Sequence, residues 1–178
     1  MNTIYRTALA VLLGILCLAN SHIASALDVG DFAPCVVLDG INAKGETHTG
    51  CIRDRISPSH THTIIDFFSV HCSTCKENLP ALQSLTKLLS DRATLRLVSI
   101  DRKVDDIKAF LADPEFNQFI ANPVAFDLRQ NAMKTYGVTS TPTLFILNKQ
   151  NHIVYRHQNA LTAEDVEHIQ ELVGQGAQ

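Results

Sequence analysis

The sequence predicts an α/β fold, with one mixed central sheet flanked by helices. Three observations predict it. Runs of strand type alternate with segments of helical period along the chain. One run, Thr63-Ile64-Ile65-Asp66-Phe67-Phe68-Ser69, is nearly all apolar, as suits a central strand covered on both faces. The alternation ends in two short strands around a turn, which adds an antiparallel edge to the parallel part of the sheet.

The composition fits a single globular domain. The chain has 178 residues, 46% of them hydrophobic and 19% charged, enough for a sizeable core. The formal net charge is −3 and no Lys/Arg-rich run is present, so nucleic acid has no electrostatic footprint to bind. Residues 1–26 read separately from the fold. Arg6 precedes an apolar run over residues 8–19, and Ala24-Ser25-Ala26 offers a small-x-small cleavage site. The run is short against the roughly 20 residues a membrane span needs, which favours a signal peptide. The alternative is an uncleaved N-terminal membrane anchor extended to Ile23. The folded domain is expected over residues 27–178, in an exported and most simply periplasmic protein.

The elements follow in order. Cys35-Val36-Val37-Leu38 reads as a strand, Asp39 to Glu46 as a turn around Gly40, Asn42 and Gly45, and Thr47-His48-Thr49 as the returning strand. This predicts a β-hairpin with a cysteine at each base. Residues 53–62 read as a polar surface loop in which His60-Thr61-His62 is solvent-exposed rather than a copper site. The central strand follows. A helix is expected from near Cys72 to about Ser90, with Leu79, Leu82, Leu85, Leu88 and Leu89 on its apolar face and Pro80 kinking it. Thr94 to Ile100 is a strand, Val104 to Leu111 a helix ended by Pro114, and Pro123 to Phe126 a short extended piece. Leu128 to Tyr136 is a short helix closed by Gly137. Strands at Thr143 to Leu147 and Ile153 to Tyr155 precede a last helix capped by Thr162, with Val166, Ile169, Leu172 and Val173 facing the core.

The chemistry centres on Cys72-Ser73-Thr74-Cys75, which follows a buried strand and opens a helix. A thiolate is the nucleophile in disulfide exchange, and a free thiol with a pKa of about 8.5 is mostly protonated at neutral pH. Unpaired N–H groups and the positive end of the dipole at a helix N-terminus favour the ionised form of Cys72. The three-residue spacing lets a small disulfide ring close on one turn. Cys72, at the helix tip, is then the attacking sulfur and Cys75 the resolving one. A purely structural disulfide and a Zn or Cu ligand pair with His71 are the competing readings. No second pair completes a four-ligand zinc site, so no metal and no bound cofactor are expected. Without the leader, four cysteines remain, and spacing favours Cys72 with Cys75 and Cys35 with Cys51 among the three possible pairings. A Cys35–Cys51 bridge would be structural; a second redox relay and free thiols are the alternatives.

Residues 64–80, from Ile64-Ile65-Asp66 through Cys72 and Cys75 to Pro80, together with Gly137-Val138-Thr139-Ser140-Thr141-Pro142-Thr143, resemble the active-site segment and the cis-proline loop of thioredoxin-like proteins. The N-terminal hairpin and Phe126-Asp127 are similar to the TlpA/ResA-like branch of exported reductases. The resemblance covers roughly residues 29–173. It implies a thioredoxin-like fold with an added N-terminal β-hairpin and the activity of a thiol-disulfide oxidoreductase acting on exported protein thiols or disulfides. It further implies a membrane electron donor or acceptor, with cytochrome c maturation as a possible setting. It implies that Pro142 is cis against the disulfide and leaves the Thr141 backbone free to bind substrate. It implies that Asp66, six residues before Cys72, is a buried acid that takes a proton from Cys75. His71 replaces the usual tryptophan beside Cys72, where it either contacts substrate and favours the thiolate or faces solvent. Asn78 replaces the acid that ResA-like proteins carry three residues after the second cysteine, which places a ResA-type acidic switch in doubt. A periplasmic copper chaperone using the same cysteines with a histidine is the alternative function. A peroxidase reading is weaker, because the sequence shows no separate peroxidatic cysteine.

Overall fold

In the computed structural model, residues 26–175 are described. The export segment read over residues 1–26 lies outside them except for Ala26. Seven strands form one sheet: β1 (Val37–Ile41), β2 (Thr47–Cys51), β3 (His62–Phe68), β4 (Ala93–Ser99), β5 (Val124–Phe126), β6 (Thr143–Leu147) and β7 (Ile153–Gln158). Among the described residues five helices accompany them: α1 (Ser73–Leu88), α2 (Val104–Ala112), α3 (Pro114–Asn117), α4 (Asn131–Thr135) and α5 (Ala163–Gln175). The strand order is β2-β1-β5-β4-β3-β6-β7. Strands β3, β4 and β5 run parallel, and the remaining pairings are antiparallel. The thioredoxin-like α/β fold with its N-terminal hairpin is therefore present. Among the described residues no helix is long and apolar enough to cross a membrane.

The core has two layers, one on each face of the sheet. Side chains alternate along β3. Ile64 and Phe68 join Leu79, Leu82 and Leu85 of α1, Ile107 and Phe110 of α2, and Ile169 and Val173 of α5. Ile65 and Phe67 join Phe145, with Ala132 of α4, Tyr136 after it, and Ala33 and Ile52 from the N-terminal segment. Tyr136 is fully buried and its hydroxyl donates to the Pro34 carbonyl at 2.8 Å. Burial pushes this phenol well above its ordinary pKa.

Several elements differ from expectation. The first strand starts at Val37 and continues through Gly40 to Ile41, because Asp39, Gly40 and Ile41 pair with β2 on one side and β5 on the other. Gly40 is a packing residue in a strand, not a turn residue: a Cβ there would sit 2.9 Å from the His48 ring and 3.1 Å from the Val124 carbonyl. The turn is confined to Asn42–Glu46, where Asn42 Oδ1 accepts from the backbone N–H groups of Lys44 and Glu46. His62 is buried, not exposed, because the central strand begins there and its N–H donates to the Arg92 carbonyl. Burial first, and the nearby Arg55 second, lower the His62 pKa. His60 is half-buried against the Thr94 hydroxyl at 2.7 Å.

Leu88 points to solvent while Leu79, Leu82, Leu85 and Leu89 are buried; the apolar stripe of α1 is one position narrower than its leucines indicate. The helix runs unbroken through Pro80. After α2, Pro114 starts α3 as its first residue, and Asp113 caps that helix by accepting from Glu115 N. The α4 helix begins at Asn131 rather than Leu128. Gln130 has a left-handed backbone with φ 56°, and the buried Asp127 carboxylate accepts from Asn131 N and Met133 N, both at 2.8 Å. Thr162 caps α5, its hydroxyl accepting from Asp165 N and its own N–H donating to the Asp165 carboxylate.

Candidate active site

The site lies at the carboxyl end of β3, where the parallel strands hand over to helices. Ser69, Val70 and His71 link β3 to α1, and Cys72 is the N-cap of that helix with φ −90° and ψ 114°. The Cys75 N–H donates to Cys72 Sγ at 3.1 Å, which satisfies one of the free donors at the helix start. Cys72 and Cys75 are bonded as a disulfide, with Cα atoms 5.2 Å apart. Their surroundings are unequal: Cys75 is 2% exposed while Cys72 is half-buried. One sulfur is therefore open to a partner and the other is held in the core between sheet and helix.

The Gly137–Pro142 loop closes the other side. The Thr141–Pro142 peptide bond is cis, and Cys72 Sγ lies 3.7 Å from the Thr141 carbonyl oxygen. Thr141 is half-buried and Pro142 buried. Gly137 has φ +64°, and a Cβ there would fall 2.2 Å from Ala26 Cα, so the loop starts where only glycine fits. The Pro142 carbonyl accepts from Asn159 N at 3.1 Å, tying the loop to the end of β7.

Asp66 sits in the middle of β3, 1% exposed. Strand alternation puts it on the face of Ile64 and Phe68, the side on which Cys75 packs. Its pairing neighbours in the sheet are Leu97 and Leu144, and its Oδ1 has no hydrogen-bond partner among the described residues. Burial raises its pKa well above the carboxylate range. Burial without compensation disfavours the ionised form, so this carboxylate is a stronger base than an exposed one and suited to take up a proton.

The remaining candidates are arranged as follows. His71 is largely exposed, and its Nε2 is 3.2 Å from Asp106 Oδ2 of α2. It shares a cavity of about 260 Å³ with Val70, Lys76, Phe110 and Phe116, and the Lys76 ammonium sits 4.7 Å over the Phe116 ring. Asn78 is buried, and its Oδ1 accepts from Leu161 N at 2.9 Å; the position three after the second cysteine therefore braces the loop after β7 instead of titrating. Glu77 faces solvent. Cys35 and Cys51 form a disulfide across the base of the hairpin, with Cα atoms 5.5 Å apart. Sequence reasoning missed the partners of the Ser69–His71 loop, above all Asp101. An Asp after a strand carries no signal of its own, and its role appears only once β3 and β4 are paired.

Comparison with known proteins places this geometry among relatives. A thioredoxin-like family model matches residues 61–153. The chain is similar to the sporulation thiol-disulfide oxidoreductase A of Bacillus subtilis (strain 168), with 27% identity over 112 residues, covering 58% of this chain and 63% of that protein. It is also similar to the thiol-disulfide oxidoreductase ResA of Bacillus thuringiensis subsp. konkukian, with 23% identity over 103 residues and 58% coverage of each chain. The chain thus spans about three fifths of the length of these curated relatives. Among solved structures, the thioredoxin domain of a thiol-disulfide oxidoreductase of Bacteroides vulgatus superposes with a TM-score of 0.62 at 19% identity, covering 83% of this chain and 99% of that one. That likeness is one of fold.

Proposed function

The chain belongs to the thioredoxin-like family, and from that premise we propose that it is an exported thiol-disulfide oxidoreductase working through Cys72 and Cys75. The observation that carries the reading is the inequality of the two sulfurs on one helical turn: Cys72 at the N-cap, Cys75 in the core. In the reducing direction, the Cys72 thiolate attacks a disulfide in an exported protein and forms a mixed disulfide, releasing one client thiolate. Cys75 then attacks Cys72 Sγ. The Cys72–Cys75 bond forms, the bond to the client breaks, and the client leaves as a second thiolate. Two electrons pass to the client, and two protons complete its thiols. Asp66 accepts the Cys75 proton on the core side. The Thr141 backbone and Pro142 line the approach to Cys72, and His71 contacts the client at the rim. The Cys35–Cys51 bridge is structural.

We place the protein outside the cytoplasm, with the leader at residues 1–26 and the domain at 27–178. Its electrons come from a membrane donor, and its direction is reductive; cytochrome c maturation is one process that consumes such reduction.

Reduction of insulin disulfides by the reduced protein tests the activity. Cys72→Ala and Cys75→Ala are each expected to lower it at least about 100-fold, since each removes one half of a two-step exchange. Full activity in the Cys72→Ala variant overturns the proposal. A reduction potential near the roughly −120 mV of a strong oxidant such as DsbA overturns the reductive direction alone.

A further inference from the structure

The three residues that deliver Cys72 to the helix tip hang on a carboxylate that the exchange chemistry does not use. We propose that Asp101 is a positioning residue of the site, fixing the Ser69–His71 loop so that Cys72 holds the N-cap position. This deepens, and rests on, the exchange reading above.

Asp101 follows β4 and is 8% exposed. Its Oδ1 accepts from the Ser69 hydroxyl at 2.7 Å. Its Oδ2 accepts from Val70 N at 2.9 Å and from the Ser99 hydroxyl at 2.7 Å. The direction of both hydroxyls follows from their other bonds. Ser69 Oγ accepts from His71 N at 3.2 Å, and Ser99 Oγ accepts from Asp101 N at 3.1 Å. Each hydroxyl proton is therefore free for the carboxyl group, which accepts three hydrogen bonds from this loop and the end of β4. Ser69 and Val70 are bound to it directly, and His71 through Ser69. The Cys72 N–H in turn donates to the Ser69 carbonyl at 3.1 Å. Every residue from the end of β3 to the nucleophile is held by this set.

The consequence for Cys72 is geometric. Its sulfur meets the Cys75 N–H because its backbone is extended at the N-cap. A slack loop spreads that geometry, and the thiolate loses a charge-assisted hydrogen bond. The charge on Asp101 acts in the opposite sense, since a nearby anion disfavours a thiolate. Removing the carboxylate charge thus has two effects of opposite sign on Cys72, and a measurement separates them. The other titratable groups at this end, His71 on the loop, Lys76 on α1, Asp106 on α2 and Asp113 after it, keep their identity in the substituted chain, as does Asp66 in β3.

The test is the ionisation of Cys72 in the reduced full chain, followed by thiolate absorbance and by the pH profile of alkylation. Asp101→Asn and Ser69→Ala are compared with Tyr136→Phe, a core variant that loses a hydrogen bond away from the site. Asp101→Asn is expected to raise the Cys72 pKa by about one unit, a roughly tenfold loss in its ionisation constant. Ser69→Ala is expected to move it less in the same direction, and Tyr136→Phe to leave it in place. An unchanged or lowered pKa in folded Asp101→Asn overturns the proposal, as does an equal rise in Tyr136→Phe. If Asp101→Asn does not fold, Ser69→Ala decides: no rise there overturns it. Insulin reduction by the wild-type chain is measured alongside. Its absence sinks the exchange reading, while the thiol ionisation still reports on the positioning.

Discussion

Asp66 carries a carboxyl group into an apolar layer of the sheet, with leucines as its neighbours in the two adjoining strands. Its pKa is raised by burial, so the folded protein keeps a proton that the unfolded chain releases in the ordinary carboxylate range. Linkage fixes the sign. The contribution to stability is whole below the unfolded pKa, declines as pH rises above it, and levels off above the folded pKa. Asp66→Asn removes this dependence. Its melting temperature relative to wild type is expected to climb with pH from about 4 upward, with insulin reduction falling roughly tenfold or more through loss of the proton acceptor. Thermal melts across pH check the first effect; a parallel pH profile for both proteins overturns it. At this scale the sequence was legible where a residue type and a spacing coincide, as for Cys72 and Cys75, while the burial of Asp66 was implied by the resemblance to thioredoxin-like proteins. It was silent where the partner is brought by the fold, as for Asn78 with Leu161 and Asp101 with Ser69.

The α1 helix shows what periodicity reads and what it overreads. Five leucines recur at helical spacing, yet the sheet covers only part of the stripe, and Leu88 remains 56% exposed while Leu82 is 2% exposed. Leu82→Ala is expected to cost about 2–5 kcal/mol, the sum of lost burial and the cavity left behind. Leu88→Ala should cost about 0.5 kcal/mol or less. Denaturant unfolding of the two variants checks the contrast, and equal losses would contradict the packing described. Element ends were less legible than elements. Gly40 looks like a turn residue, but tertiary pairing on both sides draws it into β1. Gln130 gives no warning of the left-handed backbone that delays α4. Pro114 reads as a helix stop, yet Asp113 caps and proline suits the first position, so the pair starts α3 instead.

Across the whole molecule, the hairpin forms one edge of the sheet. It reaches the sheet through the three-residue pairing of β1 with β5 and is closed at its base by the Cys35–Cys51 bond across a separation of 16 residues. Cys35→Ala with Cys51→Ala is expected to lower unfolding stability by about 3 kcal/mol, the loop-closure value for such a ring, with insulin reduction retained. Chemical denaturation under non-reducing conditions measures it, and an unchanged midpoint would show that the bridge adds nothing. The order of strands was foreseeable in its class, a parallel centre with antiparallel flanks, because βαβ connections and hairpins are read from spacing. The joining of β1 to β5, residues far apart in the chain, had no local signal.

The unequal exposure of Cys72 and Cys75 has a further meaning in time. In the exchange proposed, a client can be joined to only one of the two sulfurs, and it is freed when the second rises to meet the first from inside the protein. How long the two molecules stay linked is then governed by the mobility of a single helical turn and not by the crowd of thiols outside. The pair behaves as a latch whose release is kept on the inner side of the door.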